Sequence, residues 1–239
     1  MSEINWLEMI SIVCARGGEA LKWDLPEAWF HTELFGAFSA IAPLSGWEPF
    51  DFEVPYRTFY PVEKANGNDW KTVGAEKWVD LCLHSDFDNQ WCWFELKVRH
   101  LRADPVRRKF AQDAQAAFCR DTVALIGFST EATYGVWRDF DRRTEAYKEK
   151  IAKHAEALRS GKHRCVTAFV QLSNGESQDA RLDPTLWDTQ TLLDSINKML
   201  ADKSQASGCQ RALPEIVPKK LERAGYSIVV CEWSHIENS

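Results

Sequence analysis

The sequence predicts an α/β fold in which a mixed central β-sheet is flanked by helices. Two β-rich runs, KWVDLCL and QWCWFELKV, surround the polar connector HSDFDN and predict a hairpin. The continuous apolar run CVTAFVQL is typical of a buried central strand. Helical patterns precede and follow these runs, as expected for a sheet covered on both faces. The chain has 239 residues, of which 45% are hydrophobic, and we expect one domain over residues 1–239.

Elements before the hairpin follow from caps and prolines. An amphipathic pattern predicts an N-terminal helical addition within residues 1–22. Asp24 and Pro26 then predict the start of a helix that runs to about residue 41, where Pro43 should limit its continuation. The aromatic, proline-rich segment that follows contains EVPYRTFYPV, which we expect to form an edge strand beside the hairpin.

Elements after the hairpin alternate between helices and strands. Asp104 and Pro105 predict the start of a helix, and residues 135–161 form a charged helical pattern that predicts an insertion. The dipeptide at 183–184 should start another helix, followed by a polar loop over residues 203–211. A short helix ending at Gly225 and a final strand, YSIVVCEW, would complete the sheet.

Charge and cysteine usage restrict the functional classes. The formal charge is −6, so any binding of nucleic acid must depend on local basic patches. Seven cysteines without a C-x-x-C pair predict reduced thiols in a cytoplasmic protein. We expect no membrane segment, because no apolar stretch approaches the length that spans a bilayer.

Other metal and stacking sites have weaker support in the sequence. The six histidines show no ligand spacing, and most should lie at the surface. Asp86 and Asp88 in the connector could bind a cation, although turn chemistry explains them adequately. Trp91 and Trp93 could stack on unpaired bases, but core packing is the favoured interpretation.

The hairpin carries the main candidate site. Strict alternation would place Trp78, Asp80 and Cys82 on one face of the first strand. The same rule places Glu95 and Lys97 on one face of the second strand. If the two faces coincide, two carboxylates and an ammonium group converge among apolar residues, where each charge needs a partner. Such a trio suits a hard divalent cation and metal-assisted attack on a phosphodiester.

The arrangement of Asp80 followed by Glu95, Leu96 and Lys97 resembles the core motif of the PD-(D/E)XK nuclease superfamily. The resemblance implies a restriction-endonuclease-like core in the order α-β-β-β-α-β, with helical additions. It implies Mg²⁺, with Mn²⁺ as an alternative, bound by Asp80, Glu95 and the Leu96 carbonyl. Lys97 would position water or stabilise the transition state. The chain departs from the family pattern where Val79 replaces the proline before the aspartate.

The same resemblance implies roles for further residues in catalysis and substrate binding. Glu33, on the helix before the first strand, would be the additional catalytic and metal-binding glutamate. A basic and amide-bearing group at the exit of the second strand and on the next helix would bind substrate: Arg99, Arg102, Arg107, Arg108, Gln112 and Gln115. We expect the substrate to be DNA rather than RNA. A homodimer is compatible with the resemblance.

Two other classes of function stay open. The first alternative is a catalytically inactive nuclease-fold protein that acts as a protein-binding or assembly module through its acidic surface and charged helix. The second is an unrelated α/β domain in which the E-x-K triplet arises by chance. Metal binding and metal-dependent DNA cleavage distinguish the nuclease from both.

Overall fold

The computed structural model describes residues 4–17, 27–60, 75–101, 105–139, 144–173, 189–209, 212–223 and 225–235. Within these ranges the chain forms six helices and six strands. The helices are α1 (Trp6–Gly17), α2 (Glu27–Ser45), α3 (Pro105–Ile126), α4 (Thr130–Arg138), α5 (Glu145–Ser160) and α6 (Thr189–Ser207). The strands are β1 (Glu48–Thr58), β2 (Ala75–Ser85), β3 (Gln90–Leu101), β4 (Lys162–Ser173), β5 (Val217–Arg223) and β6 (Tyr226–Ser234).

The six strands form one mixed sheet in the order β1-β2-β3-β4-β6-β5. The first three strands are a meander of antiparallel neighbours, and β4 lies parallel to β3. Antiparallel pairs then join β4 to β6 and β6 to β5. The mixed sheet flanked by helices confirms the predicted fold class at this level, with β4 in the interior and β1 at an edge.

Each face of the sheet has its own hydrophobic core. On one face, helices α3 to α6 contribute Phe118, Trp137, Ile151 and Ile196 to a core with Trp93 of β3. On the other face, helices α1 and α2 contribute Trp6, Ile10, Phe30, Leu34 and Phe38 to a second core with Phe94 and Leu96. Because neighbouring residues of β3 enter different cores, both faces of this strand are buried.

Aromatic and cysteine side chains support this layered arrangement. Trp91 and Trp93 are fully buried, which confirms their assignment to the core rather than to a base-stacking surface. All seven cysteines are free thiols, and six of them are buried. Among the described residues, no helix combines the length and apolar character needed to cross a bilayer.

Several helix boundaries differ from the predictions. Helix α2 continues past Pro43 to Ser45, because a proline in the last turn removes a single backbone hydrogen bond. The charged run predicted as one insertion is divided between α4, which ends at Arg138, and α5, which begins at Glu145. Helix α6 extends to Ser207 into the segment predicted as a polar loop. The dipeptide at 183–184 lies outside the described residues.

The prediction of a short helix before Gly225 was wrong. Residues 217–223 form β5, which pairs antiparallel with β6, and Gly225 just before β6 has a φ of 90°. The sequence VPKKLER is too short to establish a helical period, and pairing with β6 determines its structure. Both edge strands contain proline: Pro218 in β5, and Pro49 and Pro55 in β1.

Candidate active site

Strands β2 and β3 pair over only part of their lengths. The last pair of their ladder is Leu81 with Phe94, although β2 begins at Ala75 and β3 continues to Leu101. Just beyond this pair, the backbone N–H of Leu96 donates a hydrogen bond to Oδ2 of Asp80 at 2.6 Å. A carboxylate thus replaces the backbone acceptor that a continued ladder would have supplied.

The position of Asp80 depends on an irregularity in β2. Val79 and Cys82 both pack in the core beneath α3, whereas Leu81 packs in the opposite core. Strict alternation would separate residues 79 and 82, so the predicted common face of Trp78, Asp80 and Cys82 was wrong. The change coincides with Glu53 on β1, which lies between the residues paired with Val79 and Leu81 and has a φ of 47°. Local backbone conformation therefore decides where the Asp80 carboxylate points.

Glu95 is buried one position before Leu96 and accepts a hydrogen bond from Lys97 Nζ at 3.0 Å. The pKa of Glu95 rises to about 8 because burial disfavours its charged form and the Asp80 charge repels it, while Lys97 opposes the rise. The Asp80 charge on β2 is the second cause of this rise, after burial. Asp80 contacts helix α2 through His31, whereas Glu95 pairs with Lys97, which contacts helix α3, and the pKa of Glu95 links the two groups.

Lys97 connects this site to helix α3. Its Nζ lies 3.5 Å from Oδ2 of Asp121, whose Oδ1 accepts a hydrogen bond from Lys77 Nζ at 2.6 Å. Asp121 is buried on α3 with only 8% of its surface exposed. Carboxyl groups of Asp80, Glu95 and Asp121 thus lie in one region with the ammonium groups of Lys77 and Lys97, and release of the Glu95 proton gives this region an excess of negative charge that suits a cation.

Helix α2 contributes a histidine to the site. His31 Nε2 lies 3.5 Å from Oδ2 of Asp80, a charge contact that is too long to be a good hydrogen bond. This nitrogen is buried and has no hydrogen-bond partner in the described part of the chain. Glu33, the predicted α2 glutamate, is half-buried, and no ion pair joins it to Lys97 among the residues that the structure describes.

The predicted substrate-binding residues lie on β3, on α3 and between them. The backbone of Arg99 belongs to the end of β3, and Arg107 and Arg108 belong to the first turn of α3. Their side chains, and that of Gln112, lie outside the described residues, as does the whole of Arg102. Gln115 is half-buried on α3.

The donor atoms present fit a hard divalent cation. Asp80 and Glu95 offer carboxylate oxygens, which Mg²⁺ and Mn²⁺ prefer. The N–H of Leu96 points from β3 towards Asp80, and in a strand the carbonyl of the same residue points to the same edge. A cation held between the carboxylates would also relieve the repulsion that raises the pKa of Glu95.

Three residues of this site were not predicted: His31, Lys77 and Asp121. A signal existed for Asp121, because it lies three residues after Phe118 and continues the apolar stripe of α3. His31 similarly lies three residues before buried Leu34 on α2. A charged or titratable residue on a buried helix stripe is the pattern to search for.

Comparisons with known proteins identify no relative. No protein-family model, no curated protein and no solved structure matches this chain.

Proposed function

We propose that this chain is a Mg²⁺-dependent phosphodiesterase, and specifically a DNA nuclease of the PD-(D/E)XK type. The observation that supports the proposal is the occurrence of Asp80, Glu95 and Lys97 where the β2–β3 ladder has ended, with Asp80 raising the pKa of Glu95. Asp80 binds the Leu96 backbone, Glu95 binds Lys97, and the Asp80 charge raises the pKa of Glu95. A structural ion pair between Glu95 and Lys97 does not require a second carboxylate, that of the half-buried Asp80, to raise the pKa of the buried glutamate.

The order of elements supports the same proposal. Helix α2 precedes three antiparallel strands, the acid lies on the second, the E-x-K triplet lies on the third, and α3 follows. The next strand, β4, lies beside the E-x-K strand. If α4 and α5, which lie between α3 and β4, are regarded as additions, this order is consistent with the α-β-β-β-α-β core that the motif implies.

Each side chain has a role that follows from its position. Asp80, Glu95 and the Leu96 carbonyl would hold Mg²⁺ or Mn²⁺, which when bound polarises the scissile phosphate and lowers the pKa of a bound water. Lys97 keeps an ammonium group beside Glu95, where it can orient the attacking water or offset charge on the phosphoryl oxygens. His31, whose Nε2 lies 3.5 Å from Oδ2 of Asp80, would donate a proton or hydrogen bond to that carboxylate only after a small approach. The basic segment from Arg99 to Arg108 would contact the DNA backbone.

The proposal is tested by DNA cleavage with Lys97→Met and Asp80→Asn variants. Supercoiled plasmid and single-stranded DNA are incubated with the purified protein and Mg²⁺ or Mn²⁺, and a parallel reaction contains EDTA. We expect cleavage that depends on the metal and falls at least about 100-fold in each variant, because removing one transition-state electrostatic contact costs about 10²–10³-fold.

The matched control is Lys148→Met. Lys148 also pairs with a glutamate, Glu145, at 2.9 Å, but the pair lies on the charged helix α5. This variant should cleave like the wild type, and circular dichroism should show all three variants to be folded. Equal cleavage by Lys97→Met and Lys148→Met would contradict the proposed role of Lys97.

A binding or assembly module is the second candidate. It is favoured by Phe87 in the β2–β3 connector, whose side chain is 92% exposed on a chain with a formal charge of −6. An aromatic residue exposed to this degree is typical of contacts with another protein. If calorimetry shows no binding of Mg²⁺ or Mn²⁺ and the wild type cleaves no DNA, this function replaces the nuclease.

A further inference from the structure

A second group of potential metal ligands lies at the hairpin end of the sheet. It consists of His84 near the end of β2, Asp86 in the β2–β3 connector and His154 on α5. One ligand atom from each residue lies within 4.8 Å of the others. His84 pairs across the ladder with Trp91, four residues before Glu95, so this group is separate from the candidate active site.

The protonation state of His84 follows from its hydrogen bonds. Asn89 Nδ2 donates to the Ala157 carbonyl at 2.9 Å and to Ser160 Oγ at 3.1 Å. These bonds identify Oδ1 as the Asn89 atom that lies 3.2 Å from His84 Nε2. Because Oδ1 can only accept, Nε2 must carry a hydrogen.

The other ring nitrogen of His84 faces a carboxylate. Nδ1 lies 3.1 Å from Oδ1 of Asp86. In a neutral imidazole with hydrogen on Nε2, Nδ1 is a hydrogen-bond acceptor, and the carboxylate Oδ1 of Asp86 is one as well. Two acceptors at this distance repel each other unless a cation lies beside them. A second proton on this buried ring is disfavoured because it would add a charge there.

His154 is oriented in a comparable way. Its Nδ1 lies 2.8 Å from the Lys150 carbonyl, to which it must donate, and Nε2 is then the nitrogen with a lone pair. The two imidazoles are nearly perpendicular, with ring centroids 5.5 Å apart. In metal sites a ligating histidine typically donates its other N–H to a carbonyl or carboxylate, and both histidines here have such a partner.

We propose that His84, Asp86 and His154 bind a first-row transition-metal dication, with Zn²⁺ as the representative ion. Two imidazole nitrogens and one carboxylate oxygen suit Zn²⁺ rather than Mg²⁺, which prefers oxygen ligands alone. Three protein ligands leave a position for water or a further group. Bound metal links the β2–β3 connector to α5 and stabilises this end of the fold.

The test is a Zn²⁺ titration of the full chain in competition with a chromogenic chelator. We expect one site in the wild type, and at least about tenfold weaker binding in Asp86→Asn and in His154→Gln. Asp88→Asn is the matched control, because Asp88 lies in the same connector and contacts Gln90 instead. Asp88→Asn should bind Zn²⁺ like the wild type, as should the Glu95→Gln variant of the candidate active site.

Thermal unfolding without metal and with Zn²⁺ provides an independent readout. Zn²⁺ should raise the Tm of the wild type and of Asp88→Asn, and raise that of Asp86→Asn by less at the same Zn²⁺ concentration. The metal-free melts show whether each variant is folded. Absence of Zn²⁺ binding by the wild type, or equal binding by Asp86→Asn and Asp88→Asn, would overturn the proposal.

Discussion

Oδ2 of Asp80 accepts a hydrogen bond from the backbone N–H of Leu96 at 2.6 Å, and this bond connects two strands beyond the end of their ladder. One side chain therefore has two tasks. It satisfies a backbone donor of β3, and it belongs to the group proposed to bind metal.

Substitutions of Asp80 should separate these tasks. Asp80→Ala leaves the Leu96 N–H without its acceptor and should lower the free energy of unfolding by about 1–3 kcal/mol. Asp80→Asn retains an oxygen acceptor, so we expect a smaller loss of stability together with the loss of cleavage. Urea unfolding of both variants measures the difference. Equal destabilisation would mean that the hydrogen bond contributes little to stability.

The raised pKa of Glu95 predicts a pH dependence of stability. A glutamate in the unfolded chain has a pKa of about 4.3, and Glu95 in the folded chain has one of about 8. At pH values between these two, the unfolded chain has released the Glu95 proton and the folded chain retains it. The free energy of unfolding should therefore fall as pH rises through this interval, by up to about 1.4 kcal/mol per unit. Above the folded pKa this contribution is constant.

Glu95→Gln should remove this contribution. The variant should gain stability relative to the wild type as pH rises from about 5 to 8, although Asp80, Asp121, Lys77, Lys97 and Tyr56 remain nearby. Unfolding by urea at several pH values measures the effect. Parallel pH profiles for the two proteins would show that Glu95 is already ionised in this range.

Asp121 should influence the ionisation of Glu95. Its charge contributes to the raised pKa of Glu95, and it pairs with both Lys77 and Lys97. Asp121→Asn should lower the pKa of Glu95, because a repelling charge is lost and Lys97 retains Glu95 as its partner. NMR titration of the Glu95 side-chain carboxyl carbon measures the change. Asp113→Asn, an exposed site on the same helix, is the control and should leave the pKa of Glu95 unchanged.

Gly161 should not tolerate a larger residue. A Cβ there would lie 2.6 Å from Cδ1 of Trp91 and 2.8 Å from the Ala157 carbonyl oxygen. Because Trp91 is buried and donates to that carbonyl, neither neighbour can move easily. We expect Gly161→Ala to lower the free energy of unfolding by about 1–3 kcal/mol.

Gly135 offers the matched comparison. It lies within α4, and a Cβ there meets no atom within 4 Å. Gly135→Ala should therefore raise the free energy of unfolding by about 0.5–1 kcal/mol through helix propensity. Thermal unfolding of both variants tests the pair. A stabilising Gly161→Ala would contradict the close packing of Trp91 against the end of α5.

The sequence predicts the hairpin, the central strand and the helices that cover them, because their hydrophobic periods are long and clear. It does not predict β5, since seven residues with two lysines and a proline have no decisive period. It also misses the division between α4 and α5, because α4 ends at Arg138, one residue after the buried Trp137, and α5 begins at Glu145.

The candidate site is predictable in composition but not in geometry. Asp80, Glu95 and Lys97 are recognisable from spacing, whereas Val79 and Cys82 enter the same core because alternation is interrupted between them, opposite Glu53 with its positive φ on the neighbouring strand. Asp121 lies 41 positions after Asp80, and its contact with Lys97 arises only when α3 packs on β3. Contacts between distant segments depend on tertiary packing, which local patterns do not encode.

The prolines at both margins of the sheet limit how the protein can associate with copies of itself. Proline is accommodated in an edge strand where its missing N–H faces away from the paired neighbour, so Pro55 and Pro218 each remove a donor from an outer margin. Lys219 and Lys220 add charge at one of them. Extension of the sheet by a seventh strand from another molecule is thereby disfavoured on both sides, which protects the folded chain against fibrous aggregation.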